Sequence, residues 1–134
     1  MAHLDTVEGI GPVFQEKLAQ AGITTTEMLL ENGHTAKGRQ EVAAATDIDA
    51  SRILEWLNRL DMDRIKGIGS EYADLLEAAG VDTVPELAQR NADNLYAKLK
   101  EINEAKDLVR RLPSAEQVAD WVVQAKALPR LLEY

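Results

Sequence analysis

The segment Val7-Glu8-Gly9-Ile10-Gly11 returns 58 residues later as Ile65-Lys66-Gly67-Ile68-Gly69. The register continues through Phe14 and Tyr72, Leu18 and Leu76, Ala21 and Ala79, Gly22 and Gly80, Thr25 and Thr83, and Leu29 and Leu87. Between residues 7–30 and 65–88, 8 of 24 positions are identical and four more are close substitutions. A unit repeated at a fixed offset marks a duplicated supersecondary element, which limits the fold more tightly than any single motif does. Its content also bears on chemistry, because Gly-Ile-Gly ahead of a helix brings backbone amides to a surface.

The periodicity around the repeat is helical. Phe14, Leu18 and Ala21 fall at i, i+4 and i+7, and Gly22 suits a left-handed residue closing that helix; Tyr72, Leu76, Ala79 and Gly80 do the same. Thr24 with Glu27, and Thr83 with Glu86, have capping-box spacing at the start of a second, shorter helix, and Pro85 fits its first turn. Further helices are predicted over about 36–46, 50–62, 92–102, 104–111 and 115–128, with Asn91 as a cap and Pro113-Ser114 as a break. Strand-like alternation is missing, and with 4% aromatic residues a sheet gains little support, so the expected class is all-α. Trp121 echoes Trp56 at an offset of 65, and both read as core anchors. The Trp121 helix is therefore expected to fold back against residues 7–30, closing a pseudo-twofold body.

A chain of 134 residues with 46% hydrophobic and 28% charged residues reads as one globular domain, of two repeats over about 4–62 and 63–128 with a short tail. The apolar segment 128–134 has two open readings, closure of the fold or dimerisation. No apolar run approaches the ~20 residues that a membrane helix needs, and no signal pattern opens the chain; a cytoplasmic location is the expectation. With no cysteine, thiolate metal sites and disulfides are excluded. His3, His34, Ser51, Ser70 and Ser114 form no nucleophile motif, and no acidic pair has metal-site spacing, so neither an enzyme nor a metal or cofactor site is expected.

Net charge is −8, and it is unevenly spread: residues 1–33 carry −4 and 67–97 carry −5, whereas 34–66 are neutral and 98–134 carry +1. The repeated units are thus the acidic parts. Lys98, Lys100, Lys106, Arg110 and Arg111 cluster beyond the second, interleaved with acids as on a solvated face. Val42-Ala43, Ile48, Ile53 and Trp56 have helix-turn-helix spacing that would offer Arg52 and Arg59 to a groove, but a core-forming helical hairpin produces the same pattern.

The motif apolar-x-Gly-Ile-Gly, a helix, then Gly-Ile or Gly-Val resembles the helix-hairpin-helix. With Thr35-Ala36-Lys37-Gly38-Arg39, and Trp56 ahead of Arg64-Ile65-Lys66-Gly67, essentially the whole chain is similar to a helix-hairpin-helix family, the domain of unknown function 4332. The resemblance implies a SAM-domain-like bundle of duplicated helix-hairpin-helix units with pseudo-twofold packing. It also implies sequence-nonspecific contact with the phosphate backbone of DNA or RNA. The matching positions are Gly9, Ile10, Gly11 and Val13 in the first hairpin and Gly67, Ile68, Gly69 and Glu71 in the second, with Lys17, Arg64 and Lys66 as accompanying cations. Pro12 and Val13 stand where a binding hairpin commonly has polar residues, and Glu71 and Asp74 follow the second Gly-Ile-Gly. The alternative is therefore a protein-interaction or scaffold module whose hairpins only pack and whose acidic faces meet a basic partner.

Overall fold

Thr25, Thr35, Thr83, Asn91 and Ser114 each place a side-chain oxygen on the amide three residues ahead, and each starts a helix. In a computed structural model describing residues 2–134, those residues form eight α-helices and no strand, the all-α class that the periodicity predicts. They are α1 (Pro12–Gln20), α2 (Thr26–Gly33), α3 (Ala36–Thr46), α4 (Ala50–Met62), α5 (Ser70–Ala78), α6 (Val84–Ala88), α7 (Ala92–Lys106) and α8 (Ala115–Ala127). Two compact units result, one of residues up to Leu60 together with Leu131–Tyr134, the other of Asp61–Arg130.

In the first unit, Val7, Ile10, Leu18, Leu29, Ile53 and Trp56 share a core with Leu132. Each such side chain contributes about 1.5–3 kcal/mol when fully buried. The cap of α2 is Thr25, whose hydroxyl accepts from Met28 N at 3.2 Å; Thr24, the expected cap, turns its hydroxyl to the Met28 sulfur instead. Asp47 takes a left-handed conformation (φ 59°) to end α3, the role glycine usually fills. The segment 131–134 therefore closes the core of this unit, the first of its two readings.

In the second unit, Ile65, Leu75, Leu76, Leu95, Leu99 and Trp121 are core. Ser114 and Gln117 form a reciprocal capping box on α8. The expected pair of helices over 92–102 and 104–111 is one helix, α7, followed by non-helical chain. Asn103 continues that helix and receives and gives hydrogen bonds to the Val109 backbone (3.0 and 3.2 Å), while Asp107 (φ 50°) terminates it.

The Trp121 helix, expected to fold back onto residues 7–30, packs on α6 and α7 of the second unit. Trp121 belongs to the second unit's own core, its ring centroid 5.3 Å from that of Tyr72. Trp56 does the same for the first hairpin, 5.2 Å from Phe14. Gly9 (φ 94°) and Gly67 (φ 98°) explain why each hairpin recruits the tryptophan that follows it. Their backbone angles exclude ordinary side chains, and a Cβ there would lie 3.2 Å from Trp56 Nε1 or 3.0 Å from Trp121 Nε1. The indole covers the turn where only glycine leaves room.

Candidate functional site

The first hairpin is a tight turn followed by a helix start. Ile10 N donates to Val7 O (3.1 Å), Gly9 supplies the positive φ, and Gly11 is the N-cap of α1 in extended conformation (φ −90°, ψ −175°). The helical ladder begins with Gln15 N to Gly11 O (3.0 Å), so the ladder makes no use of the amides of Val13 and Phe14. The second hairpin repeats this: Ile68 N donates to Ile65 O (3.3 Å), Gly69 is an extended N-cap (φ −96°, ψ −170°), and Ala73 N reaches Gly69 O at 2.9 Å. Neither glycine cap has a side-chain hydrogen bond, and nothing lies within 4 Å of where a Cβ would stand on Gly11 or Gly69.

The candidate residues divide by position. Ile10 and Ile68 are buried in their cores, so only their backbones face the turn. Val13, two-thirds exposed, stands in the first turn of α1, whereas Lys17 is half-buried in its last turn. Glu71 is exposed in the first turn of α5, where its carboxylate satisfies the positive end of the helix dipole itself. Arg64 is engaged within its unit: Nε pairs with Asp61 Oδ1 at 2.8 Å and Nη2 donates to Pro129 O at 2.9 Å. Burial raises the Asp61 carboxyl above the ordinary aspartate range, opposed by the charge and hydrogen bond of Arg64. Lys66 is exposed, and its backbone is bracketed by the Gln124 amide, which accepts from Lys66 N (2.8 Å) and donates to Lys66 O (3.1 Å).

Two cations beside the first hairpin come from α4. The Arg52 guanidinium carbon lies 5.1 Å from the Phe14 ring centroid, and Arg59 pairs with Glu8 at 3.5 Å. Helix-turn-helix spacing would have offered both arginines to a groove, but the core-forming hairpin is what α4 makes. Ile53, Trp56 and Leu57 of that helix are core, and the arginines flank the hairpin. The signal was available: positions 52 and 59 lie four before and three after Trp56, on one helical stripe. The same offsets from Trp121 give Gln117, used in the α8 cap, and Gln124, used on Lys66. The second hairpin thus has amides where the first has guanidinium groups.

Among the described residues, no group of histidines and carboxylates is arranged to hold a metal, and no helix is long and apolar enough to cross a membrane.

Comparison with known proteins gives two positive findings. A 55-residue stretch, 41% of this chain, is 36% identical to part of the poly(3-hydroxyalkanoate) polymerase subunit PhaC of Haloferax mediterranei; it spans about a tenth (10%) of that protein's length. No solved structure matches the chain. The family model described as a domain of unknown function (DUF4332) matches residues 8–128, and the chain belongs to that family.

Proposed function

We propose that the chain is a non-enzymatic binding module built on a duplicated helix-hairpin-helix, and that its hairpins engage phosphates of a nucleic-acid backbone. The observation that carries this reading is the second glycine of each hairpin. Gly9 and Gly67 are demanded by their backbone angles and by the indoles against them; Gly11 and Gly69 are not. At an N-cap Ser, Asp and Asn exceed glycine by a few tenths of a kcal/mol, and five other helices of this chain use a capping side chain. Glycine in both hairpins leaves the approach to the amides open, as a phosphate oxygen reaching backbone donors requires. Contact of this kind fixes position without reading bases. The first hairpin is the stronger of the two, since Arg52 stands beside it and Glu71 burdens the second, although Arg59 there is paired with Glu8.

Titrating labelled duplex and single-stranded DNA and RNA across a salt series tests this. For two hairpins that together neutralise about 2–4 phosphates, log affinity should fall against log salt with a slope of roughly −2 to −4 on duplex. No binding at low salt removes the reading.

A second reading, a protein-interaction or scaffold module that docks a basic partner, draws on two observations. Net charge is −8, and a stretch resembling part of this chain is carried within a much longer polymerase subunit. On this reading the hairpins only pack, and filling the space beside Gly11 would leave partner binding unchanged.

A further inference from the structure

We propose that residues 131–134 form an exchangeable strap, and that the slot they fill in the first unit accepts the same segment from a second copy of this chain. Leu132 is 1% exposed in a core otherwise built from residues 4–57. Around it the strap is held largely through its backbone. Glu133 N donates to His34 O at 2.8 Å, and Arg39 Nη2 donates to Glu133 O. Tyr134 Oη donates to Asn58 Oδ1 at 3.0 Å. Arg39 is itself buried, and its other guanidinium nitrogen donates to Gly33 O at 2.9 Å. An empty slot would leave an apolar socket and a buried cationic donor unanswered, which is costly.

Nothing local in the chain builds these contacts, because all of residues 61–130 lie between the slot and the strap. An identical segment from another copy makes identical contacts, which is the condition for exchange between protomers. The strap is led in by Leu128, extended at φ −74° and ψ 135°, and by Pro129, whose carbonyl is held by Arg64. This extended leader presents the strap rather than letting it coil. The tethered strap holds its advantage only through an effective concentration in the millimolar range, so exchange should appear as copies approach that concentration. This inference stands independently of what the hairpins bind.

The cysteine-free sequence gives a clean test. His34→Cys and Glu133→Cys, both at exposed positions, are placed on separate full-length chains carrying different tags. The two are unfolded together and refolded at about 50 and about 500 µM with oxidised glutathione. A mixed disulfide is expected, its yield rising about tenfold between the two concentrations. An added peptide of residues 126–134 should suppress it, and the same peptide with Leu132→Asp should not. Circular dichroism of each single variant confirms that it folds. The proposal is overturned by a yield no higher than that of a control pair using Lys100→Cys in place of His34→Cys. A yield that the peptide leaves unchanged overturns it equally.

Discussion

Gly11→Ser, with Gly69→Ser as its counterpart, separates what the fold asks of these positions from what a ligand asks. At φ −90° and ψ −175° serine is unstrained, and its Cβ would meet nothing within 4 Å. Its hydroxyl can accept from an amide of the first turn, worth a few tenths of a kcal/mol over glycine at an N-cap. Stiffening the unfolded chain adds about 0.4–1 kcal/mol. The variant should therefore be more stable by about 0.7–1.3 kcal/mol, a rise of roughly 2–5 °C for a chain of this size. Gly9→Ala, at φ 94° with the Trp56 indole 3.2 Å from its Cβ, should instead lose about 1–3 kcal/mol. For phosphate binding the sign reverses. The serine oxygen occupies a donor that the phosphate needs, and a hydrogen bond to a charged group is worth about 1.5–3 kcal/mol, or roughly 10- to 150-fold in affinity. Urea melts followed by circular dichroism give the first quantity, and fluorescence anisotropy on labelled duplex at fixed salt gives the second. If Gly11→Ser proves less stable than the parent by more than about 1 kcal/mol, the fold needs this glycine and the argument collapses. If it is more stable but binds DNA unchanged, the glycine is not kept for phosphate.

Three further outcomes are expected. Arg52→Gln should weaken nucleic-acid binding and reduce the salt slope by about 1, while stability falls by no more than about 1 kcal/mol through the lost contact with Phe14; an unchanged slope would place this arginine outside the interface. Leu132→Ala should cost about 2–5 kcal/mol in a urea melt, and a loss well under 1 kcal/mol would mean that the strap is peripheral. Asp61→Asn addresses pH. Burial raises the Asp61 pKa in the folded state despite Arg64, so the native protein takes up this proton at higher pH than the unfolded chain does. The parent's stability relative to the variant should therefore improve as pH falls through the raised folded value toward the ordinary aspartate range, and the penalty should be full above it. Melts of both proteins between neutral and mildly acidic pH read this difference, and the opposite slope would refute it.

What the sequence made legible was local. The start and end of α3 and α4 follow from Thr35, Asp47 and the apolar face of Ile53 and Leu57, and Asn91 and Ser114 announce their helices. Misreadings arose where two neighbouring residues could do one job, as with Thr24 and Thr25, or where a polar side chain served tertiary structure, as with Asn103 inside α7. The tryptophan error had a different source. The fold-back supposes one core for the whole chain, whereas Trp121 packs in the core of residues 62–125. The stripe that Arg52 and Arg59 share with Trp56 is legible in the sequence, but their partners Phe14 and Glu8 are not, because these lie more than 35 residues away. The strap carries no periodicity, and its partners His34, Arg39 and Asn58 bear no mark of it.

The membership of Leu132 in the first core has a topological consequence. Residues 61–130 are an insertion within the first unit rather than a sequel to it. A fragment cut after residue 60 therefore lacks one of its core side chains, however well the boundary matches the internal repeat. Joining residue 60 to residue 131 through a flexible linker is the excision that keeps the first unit whole.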